Sequence, residues 1–561
     1  MNKLKYNILV LGFAGFGLIS CTEGFLDVES KTESTTGNFY RTENDAYRAL
    51  IGCYDGWRTI ISGGGTPMYM AAELMSDECF AGAGKADARN YQVLDRFDQS
   101  QSPADENIYE QTWKDCYAAI YRCNMLLSKE GEIQWLSEEN RKLYMGECRA
   151  IRAICYFDMV RLWGNIPLFT EPVNENLPQS DPKAVYNVIF TDLQYAVDNI
   201  PADAYPKSEA DKNDGHITKA AAQALLARVY LYYTGIYGEE PEGLTKANVL
   251  AGLEDIISNA EANGYGLVEN FKDLWPAAST VFLSDSYGTD PEKTTYAGDG
   301  NKETILAQKF NYTQDYNGNN DGNRWLVNLG IRGVNSSPYG KGWGICTVNP
   351  EFVKNWEEGD TRKSASVIDI EGEGIDEVTD FTKSCLNEQR EYTGYYIKKY
   401  TPMAFYDGTS ASKPDGSGDF MISQHQDYVI MRYADVLLMA AELGSPNAKD
   451  YLNQVRKRAY TNEEGEVSSH YKELEATKEN IMKERMLEFA FEGLRYWDLL
   501  RQGIDVAANT IAVSNYGVLT GGSSDQVTIE AENVKRTNGL SQIPNNQITL
   551  SNGTLKQNPG W

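Results

Sequence analysis

Glu484, Glu488 and Glu492 recur at four-residue spacing near the end of the chain, which on a helix puts three carboxylates on one face. Paired carboxylates hydrolyse glycosides, one serving as acid and the other as base or nucleophile. Yet Arg485 lies three residues before Glu488, Arg495 three after Glu492 and Arg501 three after Asp498, the spacing of ordinary helix ion pairs. Such pairing lowers a carboxyl pKa, the opposite of what a general acid needs. The row therefore reads as helix electrostatics, and no enzyme is expected. His216, His425 and His470 are isolated and form neither a metal motif nor a triad. Asp315, Asn317, Asn319 and Asp321 alternate like the opening of an EF-hand loop, but Asn320 stands where that loop needs Gly and Leu326 where it needs the bidentate Glu. A structural calcium ion, completed by carbonyls or water, is the one cofactor these residues suggest.

A different chemistry fits the loops. Sugars offer apolar C–H faces beside hydroxyls, so a site for them needs exposed rings with amides, carboxylates or Arg close by. Two regions have that composition. In Phe80 to Asp98, after Ser76-Asp77-Glu78, the residues Asp87, Arg89, Asn90 and Tyr91 follow a Gly-rich turn. In Tyr312 to Trp343, the residues Tyr316, Asn317, Asn319, Asn320, Asp321, Arg324, Trp325 and Trp343 lie among glycines, and Trp325 is the leading stacking candidate. Trp113, Tyr117 and Tyr121 recur every four residues as a packing stripe would, and Trp163 and Trp497 sit within helical patterns, so these five read as core.

The elements that position these loops are mainly helical. Apolar residues at three-to-four spacing mark helices over Glu43–Ile60, Ile108–Leu127, Glu138–Leu162, Pro182–Asn199 and Thr218–Tyr233, then Tyr433–Leu443, Ala448–Ala459 and Thr477–Arg501. Between about 238 and 420 the texture changes to Gly, Asn, Asp, Tyr and Trp with many turn dipeptides, and the end of the chain is amide-rich coil with one short strand pair. Successive helix pairs suggest a tetratricopeptide-like stack, although no clean 34-residue period repeats. No linker separates two halves, which leaves one large domain or two equally open.

The net charge of −28 excludes nucleic acid as a default partner. Cys53, Cys79, Cys116, Cys123, Cys148, Cys155, Cys346 and Cys385 lack CxxC spacing and read as buried small residues, with a cross-helix disulfide open to an exported chain. Lys3 and Lys5 precede an apolar run from Ile8 to Ile19 that ends in Leu18-Ile19-Ser20-Cys21, the pattern of a lipoprotein signal whose cysteine is lipidated. The run is shorter than the ~20 residues a spanning helix needs.

Several stretches resemble the SusD-like (RagB/SusD) family. Ala434-Asp435-Val436-Leu437-Leu438-Met439-Ala440-Ala441-Glu442, Val455-Arg456-Lys457-Arg458-Ala459, and Glu484 through Leu499 are similar to its C-terminal hallmark region. Gln557-Asn558-Pro559-Gly560-Trp561 resembles its usual ending, and Gly164-Asn165-Ile166-Pro167-Leu168 and Gly359-Asp360-Thr361-Arg362 agree. The resemblance implies a mostly α fold, with tetratricopeptide-like helix pairs supporting a large irregular, loop-rich ligand face. It further implies a signal peptide at 1–20, a lipidated tether at 21–42, and one domain at 43–561 with a helical part (43–237), a ligand-face part (238–420) and a C-terminal hallmark part (421–561). By the same resemblance the chain is a non-catalytic, surface-exposed lipoprotein of the outer membrane. It captures glycans and caps a SusC-like TonB-dependent transporter; a peptide- or glycopeptide-binding lid and a purely structural transporter subunit are the alternatives. The family's starch-binding founder carries a Trp in the loop corresponding to Phe80–Asp98, where this chain offers Tyr91 and Asn90, which argues against starch.

Overall fold

The computed structural model describes residues 39–213, 215–283, 293–313, 321–375 and 387–561. Its frame is a stack of helices that begin where side chains take up the first free amides. Thr42 and Asp45 form a reciprocal capping box for Glu43–Ser62: Thr42 Oγ1 accepts from Asp45 N (3.2 Å) and Asp45 Oδ2 accepts from Thr42 N (2.9 Å). Ser137, Asp181 and Thr218 cap Glu138–Trp163, Pro182–Asn199 and Lys219–Tyr237 by the side chain accepting one backbone amide each, without the reciprocal bond. Glu138–Trp163 is the central helix. Nearly every residue from Met145 to Trp163 is buried, because Glu43–Ser62, Glu110–Ser128 and Pro182–Asn199 all pack on it.

The stack continues past Tyr237. Lys246–Ser258, capped by Thr245, packs on both Lys219–Tyr237 and Tyr433–Glu442, and Ala448–Ala459 packs on the latter. This helix lies inside the stretch read from composition as loop-rich, where Val249, Leu253 and Ile256 form its buried stripe. A second difference concerns Thr477–Arg501, expected as one helix and found as two, Lys478–Glu488 and Arg495–Leu500. Phe491 (φ 62°) and Gly493 (φ 73°) adopt left-handed conformations between them. Only glycine fits at the second position, since a Cβ there would lie 3.0 Å from the Tyr428 hydroxyl and 3.3 Å from Tyr69.

The excursion between the helices builds small sheets. Cys79–Ala81, Cys346–Val348, Tyr395–Ile397 and Val367–Asp369 form an antiparallel sheet in that order, with Cys79 opposite Val348 and Thr347 opposite Tyr396. Thr304–Gln308 pairs antiparallel with Tyr428–Arg432. The strand pair expected near the end is the hairpin Val513–Thr520 and Ser523–Ile529, turning through Gly521-Gly522 with both φ positive.

The seven described cysteines are buried free thiols, so no cross-helix disulfide joins them. Of the aromatic stripe, Trp113 is buried and Tyr117 partly so, whereas Tyr121 is 52 % exposed and does not belong to the core. Among the described residues no helix is long and apolar enough to cross a membrane. Cys21, Cys385 and the whole of 1–38 lie outside the described residues.

Candidate functional site

The carboxylate row is buried rather than arrayed on a helix surface. Glu484 accepts from Arg362 Nη1 (2.6 Å) and Arg456 Nη1 (3.2 Å), Glu488 meets Arg362, Arg432 and Arg458, and Glu492 meets Lys399 and Arg432. Of the three pairs read from helical spacing, only Asp498–Arg501 forms (2.8 Å); Arg485 turns instead to Asp435 and Asp498, and Arg495 to Asp77. The partners are long-range because the helix is broken at 489–494. Burial pushes the Glu488 carboxyl up, but Arg458, Arg432, Arg362 and Lys399 outweigh it and hold the group down at about 2. A carboxylate so held and fully buried neither reaches a substrate nor donates a proton at neutral pH.

Trp325 also departs from expectation. It is fully buried, packed among Tyr69, Tyr400 (ring centroids 4.6 Å apart) and Tyr428 (4.8 Å), and so offers no face to a ligand. Four glycan-site candidates, Tyr91, Asn90, Arg324 and Trp343, are half-buried, while Asp87 and Arg89 are exposed. Tyr316 and Asn317 lie outside the described residues, as do Asp315, Asn319 and Asn320 of the suggested calcium loop. The remaining member of that loop, Asp321, is engaged by Arg58 and by Thr313 Oγ1 (3.0 Å).

The two candidate loops are stitched together. Gly82 N donates to Ile345 O (2.7 Å) and Ala83 N to Gly344 O (2.6 Å). The approach is close enough that a Cβ on Gly82 would stand 2.5 Å from Gly344 O. Arg390, itself 2 % exposed, fixes the first loop from beneath by donating to the carbonyls of Ala81 (3.3 Å), Gly84 (3.1 Å), Asp87 (2.7 Å) and Ala88 (3.1 Å). Burial, followed by the Arg89 charge, pushes its pKa down despite Glu391.

Arg332 then bridges the loops at the surface, Nη2 lying 3.2 Å from Asp87 Oδ2 and Nη1 donating to Trp343 O (3.1 Å). Trp343 N in turn donates to Val327 O (2.7 Å), beside the Arg324-Trp325 corner. Arg324 lies against Gly64, whose Cβ position is 2.9 Å from Arg324 Nη1. Its guanidinium has no hydrogen-bond or ion-pair partner among the described residues. Tyr91 faces inward, and burial raises its phenol to about 12. Arg89 reaches Gln92 Oε1 at 3.4 Å. Arg332 thus joins Asp87 to Trp343, and Arg324, against Gly64, lies one residue before the Trp325 corner, itself two residues before the Val327 carbonyl that Trp343 N bonds. An indole edge, two guanidinium groups and an exposed carboxylate together suit a ligand rich in hydroxyls.

Sequence reasoning selected both loops but missed Arg332, which carries the bridge; as an arginine among glycines it had no distinguishing spacing. It also left out Tyr312 as a named candidate, although the ring is 42 % exposed and stands edge-on to His425 at 5.8 Å.

Comparison with known proteins bears on the family and the fold. Residues 302–561 match the profile described as SusD family, and residues 66–231 match one described as starch-binding associating with outer membrane. A SusD-like protein of Formosa agariphila is 26 % identical over 537 residues, spanning 89 % of this chain and 90 % of its own length. Among solved structures, a laminarin-binding SusD-like protein aligns with a TM-score of 0.68 at 25 % identity over 93 % of this chain and all of its own. The surface glycan-binding protein A from Bacteroides thetaiotaomicron in complex with laminarihexaose gives 0.70 at 24 %, over 92 % of this chain and 99 % of its own.

Proposed function

We propose, because this chain belongs to the SusD-like (RagB/SusD) family, that it is a non-catalytic glycan-binding lipoprotein of the cell surface, held to the outer membrane by lipid on Cys21 and acting as the lid of a SusC-like TonB-dependent transporter. The observation that carries the ligand reading is that Arg332 joins Asp87 to Trp343 while the Arg324 guanidinium is uncommitted among the described residues. A sugar ring lies on Trp343, and Arg324, Arg89 and Asp87 take its hydroxyls. Single-site affinity is modest, and polymer multivalency together with the adjoining transporter raises effective concentration. Because one structural relative is a laminarin-binding protein and another holds laminarihexaose, laminarin oligosaccharides head the ligand panel. Calorimetric titration with laminarihexaose, starch oligosaccharides, host-type glycans and acidic glycans tests the reading. Saturable binding of a neutral glycan is expected; binding of peptides in place of every glycan would overturn it.

A further inference from the structure

Three cysteines from three helices meet in the core: Cys53 on Glu43–Ser62, Cys123 on Glu110–Ser128 and Cys148 on Glu138–Trp163. Their Sγ atoms lie within 4.8 Å of one another, and all three residues are fully buried. The three helices pack on one another in every pairing. The first two run so close that a Cβ on Gly56 would stand 3.1 Å from Ala119 Cα, one turn from Cys53 and from Cys123. Cys148 Sγ donates to Cys123 O at 3.6 Å, which holds that thiol toward the neighbouring helix. Buried cysteines commonly serve as small apolar residues, but the other cysteines form no such trio among the described residues.

The spacing is that of a coordination shell. The centre of such a triangle is at most about 2.8 Å from each corner, against about 2.3 Å for a metal–thiolate bond, so shifts of a few tenths of an ångström close it. An ion here needs no pocket: it occupies the space between the sulfurs and is enclosed as the helices pack, binding and folding being one step for such sites. Burial raises the Cys123 and Cys148 thiols well above the ordinary range, which leaves them neutral when free, and a coordinated metal removes such protons outright. The charges of Arg122, acting on Cys53, and Arg152, acting on Cys148, offset the negative charge that three thiolates leave. Among the described residues no fourth His, Cys, Asp or Glu joins the three. Structural zinc is almost always four-coordinate, whereas thiolates also select Cu(I), an ion content with three sulfurs.

We propose that Cys53, Cys123 and Cys148 form a trigonal site for one thiophilic ion, Cu(I) foremost, set in the core of the helical frame. Each thiol gives its proton to solvent as its sulfur bonds the ion, so one Cu(I) replaces three protons and no electron is transferred. The ion ties the three helices together and adds its binding free energy to the stability of the frame. The inference is independent of the glycan reading, which concerns loops elsewhere in the chain.

The test is to refold the reduced full chain without oxygen in Cu(I) buffered by a competing chelator, then to desalt it, measure copper against protein and record X-ray absorption at the copper edge. One copper per chain is expected, in a shell of three sulfurs at about 2.3 Å, and the loaded chain should melt at a higher temperature than the copper-free one. Cys148→Ala should lose the copper, while Cys116→Ala, which alters an equally buried cysteine outside the trio, should keep it. Should Cys148→Ala fail to fold, Cys53→Ala is read in its place, and the sulfur count in the wild-type spectrum needs no variant. Copper that is absent after refolding, bound by nitrogen or oxygen, or kept by Cys148→Ala overturns the site. So does a disulfide between any two of the three cysteines in chain recovered from cells. Each of these outcomes leaves the glycan reading standing.

Discussion

Two regions of this molecule use the same residue types for opposite ends. In the C-terminal centre, Glu484, Glu488 and Glu492 face Arg362, Arg432, Arg456, Arg458 and Lys399, and all are buried. In the Trp343 patch, Asp87 and Arg89 are exposed, the Arg324 guanidinium has no partner among the described residues and Arg332 makes a single long ion pair. A saturated buried network fixes the fold and has nothing left for a ligand; an unsaturated half-exposed set has capacity to spare. Spacing already read the first region as ion pairing and composition chose the loops of the second, and burial together with bond saturation draws the same distinction.

The sharpest way to break this contrast is Glu488→Ala. It takes one carboxylate from three buried guanidinium groups, each of which keeps another, and urea denaturation should show a loss of roughly 3 kcal/mol, the low end of the usual effect of removing one partner from a buried ion pair. Unchanged stability would mean that the network does not hold the fold. Next, Trp325→Ala empties a site among Tyr69, Tyr400 and Tyr428 and should cost about 3–5 kcal/mol. If instead it abolished glycan binding with stability intact, the ring would belong to the ligand face after all. Arg332→Ala is expected to behave in the opposite sense, weakening oligosaccharide binding several-fold in calorimetry while stability shifts by no more than about 1 kcal/mol.

The smallest effect concerns the buried pair Glu73 and Glu78, which accept from Gly493 N (2.5 Å) and Phe491 N (3.2 Å) and so hold the break between the two hallmark helices. Burial raises Glu73 to about 7, and burial and then Glu73 raise Glu78 well above the ordinary carboxyl range. Raised carboxyl pKa values mean that the folded state binds more protons, so this contribution is complete in acid and is lost as pH rises through 7. Thermal melts should therefore drop as pH rises from 4.5, the ordinary carboxyl value, to about 7, and Glu73→Gln should flatten the decline. A melting temperature that climbs over the same interval in the wild type would contradict the assignment.

Much of the frame was legible because its signals are local. Thr42, Ser137 and Asp181 cap helices whose apolar stripes run three to four residues apart, and those helices begin where the caps place them. The break at 489–494 was not legible, since Phe489, Ala490 and Phe491 continue an apolar run and the reason for the break is a tertiary contact of Gly493 with Tyr428 and Tyr69. Trp325 misled for a related reason: glycines and amides around it read as an exposed loop, whereas distant tyrosines enclose it. Both loops of the patch could be chosen from composition, but the hydrogen bonds that join Ala83 to Gly344, and the meeting of Cys53, Cys123 and Cys148, depend on elements far apart in sequence.

The most direct measurement is a calorimetric titration of laminarihexaose into the wild-type chain and into Trp343→Ala, with a urea unfolding curve for each. Binding to the wild type, weakened by roughly tenfold or about 1.4 kcal/mol in the variant while the unfolding midpoint barely moves, is the predicted result. Equal binding by both proteins would remove Trp343 from the ligand face and contradict the contrast between a saturated centre and an unsaturated patch.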